Sequence, residues 1–327
     1  MTVSTHHHTL LGRTAFVFPG QGSQKAGMLA DMAEQFALIK QTFDESSNAL
    51  GFDVWQIAQT GEQLDQTAYT QPVLLTASIA IWRVWQELGG VMPSVLAGHS
   101  LGEYSALVAA NSLSLTDAVK LVHLRGQLMQ TAVPEGQGAM AAILGLDDAQ
   151  VEALCLSSAQ QTGQVVEAAN YNAAGQVVIA GTQNAVSHTI AQAKAQGAKA
   201  IVLPVSVPSH CALMQPAAEQ LAEALNQTQF KAPDFPIVQN VNAAIESDID
   251  SIKAALIEQL YRPVRWTQSM HTLAELGVEY VVECGAGNVL ANLAKRLPNV
   301  KAAYPTDTRT RLDTALGAIS LAEGKLA

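Results

Sequence analysis

The chain has 327 residues, of which 49% are apolar and 14% charged, so it can bury a core and is not wholly disordered. Twenty-eight acidic residues against 18 basic ones give a formal charge of −10, which argues against a nucleic-acid-binding protein because that function needs a basic face. At this length we expect one large domain and a smaller one.

The cysteines and the N-terminal residues indicate the compartment. Cys155, Cys211 and Cys284 form no CxxC pair, so a disulfide-stapled secreted fold is not expected. No apolar run reaches the roughly 18–20 residues of a membrane-spanning helix, and the N-terminus lacks the basic-then-apolar order of a signal peptide. We predict a cytoplasmic protein. Residues 1–13 contain three consecutive histidines without a nearby carboxylate or cysteine, which favours a flexible leader over a metal site.

The first third of the chain alternates apolar runs with amphipathic stretches. Thr14–Phe18 is an apolar run that Pro and Gly stop, which predicts a buried strand followed by a loop. Pro93–Gly98 predicts a second buried strand, and the pattern turns helical from Ser100. A further helix is predicted over Thr116–Thr131, with Thr116 as its N-cap.

The middle of the chain has a different order of predicted helices and strands. Residues 136–205 predict the order β-α-β-β-α-β of a ferredoxin-like domain. Strands and helices resume after it, so this small domain is expected to be inserted into a discontinuous large domain of residues 14–135 and 206–310. The predicted fold class is α/β, with an α/β-hydrolase-like large domain whose mostly parallel sheet is covered by helices on both faces.

One motif points directly to chemistry. Gly98-His99-Ser100-Leu101-Gly102 has the form G-x-S-x-G and lies between a predicted strand and a predicted helix, as a nucleophile elbow requires. Its small residues permit a tight turn that exposes the Ser100 hydroxyl at a helix N-terminus, where the Leu101 N–H can face developing negative charge. Ser100 is therefore the candidate nucleophile. The alternative is a tight turn without chemistry.

A serine hydroxyl needs a base, and five of the eight histidines lie outside the leader. His99 is adjacent to Ser100, and the elbow should aim the two side chains apart. His123, His188 and His271 fall within predicted helices. His210 lies in a loop between an apolar run and a helix, where active sites of open α/β sheets gather. His210 is the favoured base, although these residues alone leave the choice open.

Four separated motifs follow one another along the chain: Phe18-Pro19-Gly20-Gln21-Gly22-Ser23-Gln24, Gly98-His99-Ser100-Leu101-Gly102-Glu103-Tyr104, Arg125-Gly126 and Pro208-Ser209-His210. In this order they closely resemble the malonyl-CoA:acyl-carrier-protein transacylases of bacterial fatty-acid synthesis, and the likeness runs from about Phe16 to about Arg296. The resemblance implies transfer of malonyl from malonyl-CoA to the phosphopantetheine thiol of acyl carrier protein through a malonyl-serine intermediate. It implies no cofactor and no metal, since malonyl-CoA is a substrate.

The resemblance also implies catalytic residues. Ser100 would be the nucleophile and His210 the general base, oriented by the backbone carbonyl of Gln259 rather than by a carboxylate. Taken by itself, Gln259 could equally be a solvated helical residue whose side chain contributes nothing. The backbone N–H groups of Gln21 and Leu101 would form the oxyanion hole.

Substrate-binding residues are implied in the same way. Arg125 would make a bidentate pair with the free carboxylate of the malonyl group, a task that suits a planar guanidinium better than lysine, and Gly126 would leave room for the approach. Without the resemblance, Arg125 would be read as a solvated or ion-paired residue. His99 and Asn172 are further candidates for the cleft between the domains.

Three other functions remain open at this point. A serine hydrolase would use the same elbow but gives no reason for Arg125. A trans-acting polyketide-type acyltransferase would load another carrier protein, and Ser209 does not decide between the two pathways. A non-catalytic carrier-protein scaffold would not need Ser100 or His210. We expect malonyl-CoA and acyl carrier protein as partners, neither nucleic acid nor membrane, and a monomer.

Overall fold

The computed structural model describes residues 12–205 and 207–324. Ser206 and residues 1–11, which hold most of the predicted leader with its three histidines, lie outside the described residues. Within the described ranges, no helix combines the length and the apolar character needed to cross a membrane.

Helices and strands alternate along the chain. Before residue 138 they are β1 (Thr14–Phe18), α1 (Ala30–Ala33), α2 (Ala37–Leu50), α3 (Val54–Thr60), α4 (Thr67–Glu87), β2 (Val95–Gly98), α5 (Gly102–Ala109) and α6 (Leu115–Ala132). The middle segment contributes β3 (Gly138–Leu144), α7 (Asp148–Thr162), β4 (Val166–Ala173), β5 (Gln176–Thr182), α8 (Gln183–Ala195) and β6 (Lys199–Val202). The remainder contributes a short 3₁₀ turn (Ala212–Met214), α9 (Gln215–Gln227), β7 (Ile237–Val238), α10 (Ile249–Glu258), α11 (Trp266–Glu275), β8 (Tyr280–Glu283), α12 (Val289–Ala294), β9 (Ala302–Pro305) and α13 (Arg309–Ala322).

The larger sheet brings the ends of β1 and β2 together. Its strand order is β7-β2-β1-β8-β9, and each adjacent pair is parallel. Phe18 at the end of β1 pairs with Gly98 at the end of β2. Because parallel strands end at the same edge, the loop after β1 and the turn after β2 emerge side by side.

The side chains of β1 point alternately to the two faces of this sheet, and both faces are covered. Phe16 packs edge-to-face on Trp82 and Trp85 of α4, with ring centroids 5.4 and 5.0 Å apart. Ala15 and Val17 point the other way, into a second core cluster. A strand that is buried on both faces reads as a continuous apolar run, which is the pattern the sequence has here.

The smaller sheet is antiparallel, with strand order β4-β5-β3-β6. Helices α7 and α8 lie on one face, around a core that includes Ile143, Val151 and Ile179. The other face carries Met140 and packs on Cys211. The predicted fold class, with a mostly parallel large unit and an inserted ferredoxin-like unit, is confirmed. The domain boundaries at 14–135, 136–205 and 206–310 stay a prediction.

One helix start differs from the prediction. Helix α6 begins at Leu115, and its N-cap is Ser114, whose hydroxyl accepts from the backbone N–H of Asp117. Thr116 therefore lies within the first turn instead of capping it. Ser114 has the extended backbone of an N-cap, with φ −71° and ψ 150°, and places its oxygen over the N–H three residues on.

Candidate active site

Ser100 stands at a strained turn between β2 and α5. Its φ of +53° lies in the left-handed region that non-glycine residues rarely adopt. The flanking glycines are required by close backbone approach. A Cβ on Gly98 would lie 1.9 Å from the carbonyl carbon of Gly102, and one on Gly102 would lie 2.0 Å from the oxygen of Phe18. The helix begins at Gly102 rather than at Ser100, and the segment has the strand-turn-helix geometry that its motif predicts.

Asn240 holds this turn from the end of a neighbouring strand and was not predicted from the sequence. It is fully buried, two residues after β7. The Ser100 N–H donates to its Oδ1 at 2.7 Å, and its Nδ2 donates to the carbonyl oxygen of Gly98 at 2.6 Å. Two backbone groups of the turn are thereby satisfied. The available signal was an asparagine directly after a large-sheet strand, at the edge where sites gather.

The ring of His210 lies between Ser100 and a backbone carbonyl. Its Nε2 is 2.8 Å from Ser100 Oγ, and its Nδ1 is 2.6 Å from the carbonyl oxygen of Gln259. Because a carbonyl only accepts, the proton of the neutral ring is assigned to Nδ1, and Nε2 accepts from the serine hydroxyl. No carboxylate of the described residues is hydrogen-bonded to this ring. The carbonyl takes the place that an acid has in a Ser-His-Asp triad.

His210 is neutral and rigidly held. Burial, followed by the positive charge of Arg125, lowers the pKa of His210 from 6.5 to about 3. Its backbone N–H donates to the carbonyl of Leu260 at 2.9 Å, and its φ is +64°. A strained loop is thus fixed to the end of α10, with an unprotonated nitrogen against the Ser100 hydroxyl.

Two of the residues that line the cavity at Ser100 are the candidates for an oxyanion hole. The N–H groups of Leu101 and Gln21 have no backbone acceptor among the described residues, and both residues line the cavity at Ser100. The loop that holds Gln21 packs tightly on the elbow, because a Cβ on Gly20 would lie 2.5 Å from the carbonyl oxygen of His99. Two free donors at this point suit a developing oxyanion.

Arg125 is a buried arginine with neutral hydrogen-bond partners. It is 1% exposed on α6, which excludes a solvated helix face. Its Nη1 donates to Oε1 of Gln71 at 2.9 Å, and its Nη2 donates to Oε1 of Gln259 at 2.9 Å and to Ser100 Oγ at 3.2 Å. No ion pair involving Arg125 occurs in the part of the chain that the structure describes. The cation is already desolvated and suits an incoming carboxylate.

The expectation for Gly126 is wrong. Its missing side chain faces another helix and not the cavity, since a Cβ there would lie 2.6 Å from the carbonyl oxygen of Thr67 and from Cα of Ala68. Gly126 therefore allows α6 to approach the first turn of α4. That approach brings Arg125 within reach of Gln71, which also lies on α4.

Gln259 contributes two different oxygens. Its backbone carbonyl meets His210, and its side-chain Oε1 accepts from Arg125. The Nε2 group donates to the carboxylate of Glu103 at 2.8 Å and to the carbonyl of Ser100 at 3.0 Å. The residue is fully buried just beyond the end of α10. The alternative of a solvated helical glutamine is wrong, and its side chain is bonded on both ends.

Glu103 is a second residue that sequence reasoning missed. It is fully buried in α5, where burial raises the pKa of its carboxyl to about 7. Its Oε2 accepts from Gln259 and from the backbone N–H of Asn240, at 2.8 and 3.2 Å. The available signal was a lone acid at the start of an otherwise apolar helix, directly after the G-x-S-x-G motif.

His99 and Asn172 are joined to each other. His99 Nε2 lies 2.8 Å from Asn172 Oδ1, and the His99 ring packs on Trp266 with centroids 5.3 Å apart. Burial lowers the pKa of His99, so the neutral ring donates to the asparagine. His99 lines the cavity at Ser100, whereas Asn172 is not among its lining residues. Asn172 instead links β4 of the small sheet to the elbow.

The cavity is lined by both polar and apolar side chains, and its volume is about 110 Å³. The apolar walls are formed by side chains of both units: Met129, Met140, Leu203, Val205 and Val207. Within residues 12–205 and 207–324, no cluster of three or more His, Cys, Asp or Glu side chains could hold a metal ion. The cavity suits a small acyl group that carries one negative charge.

Known proteins are similar to this one along most of the chain. Residues 15–303 match the family described as acyl transferase domain. A malonyl CoA-acyl carrier protein transacylase of Salmonella typhimurium is 53% identical over 305 residues, which is 92% of this chain and 98% of that protein. The transacylase of the same name from Bacillus subtilis is 45% identical over 290 residues, which is 88% of this chain and 91% of that protein.

Solved structures give the same result. A crystal structure of FabD from Acinetobacter baumannii superimposes with a TM-score of 0.94 at 62% identity, covering 95% of this chain and 99% of that one. A type II PKS acyl-carrier protein in complex with its malonyl-transacylase matches with a TM-score of 0.91 at 52% identity, covering 94% of this chain and 100% of that one. The chain therefore belongs to the acyl transferase domain family and, within it, to the malonyl-CoA:acyl-carrier-protein transacylases.

Proposed function

We propose that this protein moves the malonyl group from malonyl-CoA to the phosphopantetheine thiol of acyl carrier protein through malonyl-Ser100, and so supplies the extender unit for fatty-acid synthesis. The observation that carries the proposal is the buried guanidinium of Arg125 beside a serine that is hydrogen-bonded to a neutral histidine. A nucleophile, a base and a carboxylate-binding cation meet in one small cavity.

In the first half-reaction, Ser100 Oγ attacks the thioester carbonyl and its proton passes to His210 Nε2. The carbonyl oxygen becomes an oxyanion in front of the N–H groups of Leu101 and Gln21, and such donors typically contribute roughly 3–4 kcal/mol each. Collapse of the intermediate breaks the carbon–sulfur bond. The coenzyme A thiolate leaves with the proton from His210, which returns the base to its neutral state.

In the second half-reaction, the carrier-protein thiol takes the place of coenzyme A. His210 accepts the thiol proton, the thiolate attacks the malonyl-Ser100 ester, and a second oxyanion forms in the same place. Breaking of the ester bond returns the proton from His210 to Ser100 Oγ. The two acyl donors use the site in turn, so we expect ping-pong kinetics.

Arg125 couples recognition of the substrate to the strength of the base. When the malonyl carboxylate pairs with the guanidinium, it offsets the charge that helps to lower the pKa of His210. The pKa of the histidine then rises toward the operating pH, where a general base is most effective. An acetyl group brings no such charge and leaves a desolvated arginine unpaired, which is costly.

Two of the earlier alternatives are disfavoured by the same residues. A hydrolase gives no reason for a buried Arg125, and a scaffold gives no reason for the 2.8 Å contact between Ser100 and His210. The polyketide alternative differs only in the carrier, because the chemistry on Ser100 is the same. A matching structure contains a type II PKS acyl-carrier protein, so both kinds of carrier belong in the test.

Intact-protein mass spectrometry tests the proposal. The protein is mixed with malonyl-, methylmalonyl- or acetyl-CoA, and we expect a malonyl adduct that Ser100→Ala does not form. Addition of a phosphopantetheinylated carrier, of fatty-acid or polyketide type, should remove the adduct and give malonyl-carrier. Hydrolysis of the adduct without transfer to either carrier would contradict the proposal.

The predictions of a monomer and of a cytoplasmic location complete the proposal. Light scattering coupled to size-exclusion chromatography measures the first, and cell fractionation measures the second. Independence from nucleic acid and from membranes likewise stays a prediction.

A further inference from the structure

Glu103 is linked to Arg125 through the side-chain amide of Gln259. Its Oε2 accepts from Gln259 Nε2 at 2.8 Å, while Gln259 Oε1 accepts from Arg125 Nη2 at 2.9 Å. The carboxylate itself does not reach the cavity, since Glu103 is fully buried and is not among the lining residues. Glu103 therefore does not contact the acyl group, and its hydrogen-bonded link to Arg125 runs through Gln259.

The orientation of the Gln259 amide is dictated by its neighbours. A carboxylate oxygen accepts and a guanidinium donates, so the NH₂ group turns to Glu103 and the oxygen turns to Arg125. The reversed amide would place two donors together at Arg125 and two acceptors together at Glu103. Without an acceptor at position 103, the NH₂ group of Gln259 would keep only the Ser100 carbonyl, 3.0 Å from Nε2, as its acceptor.

A second contact ties Glu103 to the elbow. The same Oε2 accepts from the backbone N–H of Asn240 at 3.2 Å, and the Asn240 side chain bonds to Ser100 N–H and to the Gly98 carbonyl. The same carboxylate oxygen therefore accepts from Asn240, which is bonded to Ser100, and from Gln259, which is bonded to Arg125. The other oxygen, Oε1, has no hydrogen-bond partner among the described residues.

We propose that Glu103 is a positioning residue for malonyl selection: its carboxylate oxygen fixes the Gln259 amide, which in turn holds the Arg125 guanidinium at the reach of the malonyl carboxylate. The inference rests on the proposed function, because it needs a substrate that Arg125 recognises. The charge of Glu103 and its role as a hydrogen-bond acceptor have opposite effects on malonyl binding. As a charge, Glu103 repels a malonyl carboxylate, whereas as an acceptor it keeps Arg125 in place for that carboxylate.

Two substitutions separate these effects. Glu103→Gln removes the charge but keeps a side-chain oxygen of the same reach. Glu103→Asp keeps the charge but is shorter by one methylene, so it draws the oxygen away from Gln259. The readout is the ratio of the rates at which malonyl-CoA and acetyl-CoA load Ser100, and thermal unfolding is measured on each protein. Glu283→Asp is the matched control, because Glu283 is also a buried carboxylate that accepts two N–H groups, from Leu290 and Ala291.

We expect Glu103→Gln to keep the malonyl preference within about threefold and Glu103→Asp to lose about 10- to 100-fold of it, the range that misplacement of a substrate-binding group produces. Glu283→Asp should lower stability and leave the preference unchanged. A folded Glu103→Asp protein with the parent's preference would overturn the inference. So would a Glu103→Gln protein that loses about tenfold or more, and this result decides the matter even if Glu103→Asp does not fold.

The parent protein separates the two proposals. A parent that prefers malonyl while Glu103→Asp keeps that preference refutes only the positioning role. A parent that loads acetyl as readily as malonyl refutes the proposed function, and the inference with it.

Discussion

Arg125 Nη2 and Ser100 Oγ lie 3.2 Å apart, although the two residues are separated by 24 others in the chain. The group proposed to bind the carboxylate therefore stands directly beside the proposed nucleophile. An acyl group that pairs with the arginine while its carbonyl is attacked must hold its carboxylate close to that carbonyl. In malonyl a single methylene separates the two groups, so the short distance favours malonyl over longer dicarboxylic acyl groups.

Replacing Arg125 should change the acyl preference and not simply reduce activity. We expect Arg125→Ala to lose malonyl loading by at least about a hundredfold, because a site built around a polar partner discriminates by up to about 10⁴–10⁵. Acetyl loading should be retained or improved, since no unpaired guanidinium remains in the cavity. Single-turnover loading with malonyl-CoA and acetyl-CoA measures both rates.

Arg125→Lys is the control for this substitution. Lysine keeps the charge but lacks the planar fork, so partial recovery of malonyl loading is expected. Equal losses for malonyl and acetyl in Arg125→Ala would contradict the recognition role and leave a structural one.

The pH dependence of Ser100 acylation should lack a histidine limb near neutrality. The pKa of His210 is lowered to about 3 by burial and by Arg125, so the free protein has a neutral base throughout the range from pH 5 to pH 8. We expect the apparent second-order rate of malonyl loading at pH 5 to stay within about threefold of its value at pH 7. Stopped reactions analysed by intact mass provide the measurement.

A second titrating group has to be separated from the histidine. Burial raises the pKa of Glu103 to about 7, and the profile is therefore repeated on Glu103→Gln. A fall in rate with a midpoint near 6.5 that persists in Glu103→Gln would show that His210 titrates normally and would refute the prediction.

The sequence predicted those parts of the site that local patterns encode. The turn at Ser100 follows from small residues between a strand and a helix, and the loop position of His210 follows from the apolar run before it. Family resemblance supplied Arg125 and the backbone carbonyl of Gln259. These features depend on a short stretch of chain or on a motif, and both can be recognised without knowing which strands are neighbours.

The supporting residues depend on tertiary contacts that no local pattern specifies. Asn240 reaches Ser100 across 140 residues because β7 lies next to β2 in the sheet. Glu103 and Gln259, 156 residues apart, meet because α10 ends beside α5. Gly126 was misjudged for the same reason, since its partner is the backbone of a helix and not the substrate.

Asn240 should be needed for a productive elbow. Asn240→Ala removes both the acceptor for Ser100 N–H and the donor to the Gly98 carbonyl, so two buried backbone groups lose their partners. Such losses cost about 1–3 kcal/mol each. We expect a lower melting temperature and a lower kcat for malonyl and acetyl alike, because the strained turn relaxes while Arg125 is untouched.

Asn242→Ala is the matched control, because Asn242 lies two residues away and is exposed. Its side chain bonds only within its own turn, to the backbone N–H of Ala244 and to Glu246. Asn242→Ala should lower the free energy of unfolding by no more than about 1 kcal/mol, because the hydrogen bonds it removes are exposed, and it should leave both loading rates unchanged. A change of acyl preference in Asn240→Ala would contradict the view that Asn240 acts on the nucleophile alone.

Glu283 should make folding stability fall as the pH rises. Its buried side chain accepts from the backbone N–H groups of Leu290 and Ala291, yet burial raises the pKa of its carboxyl from 4.5 to about 7. Between those two values the folded protein holds a proton that the unfolded chain has released. The stabilisation from this proton is therefore complete below about pH 4.5 and is lost as the pH rises through 7. The resulting loss in the free energy of unfolding is of the order of 3 kcal/mol.

Glu283→Gln carries no charge and should not lose this stability. Chemical unfolding of the two proteins at pH 5 and pH 8 gives the difference in their unfolding free energies. His210, whose pKa is lowered, acts in the opposite direction below pH 6.5, but it contributes equally to both proteins and cancels in the difference. We expect the unfolding free energy of Glu283→Gln to increase relative to that of the parent as the pH rises. A difference that stays constant would place the carboxylate in its charged state throughout, held by the two N–H groups alone.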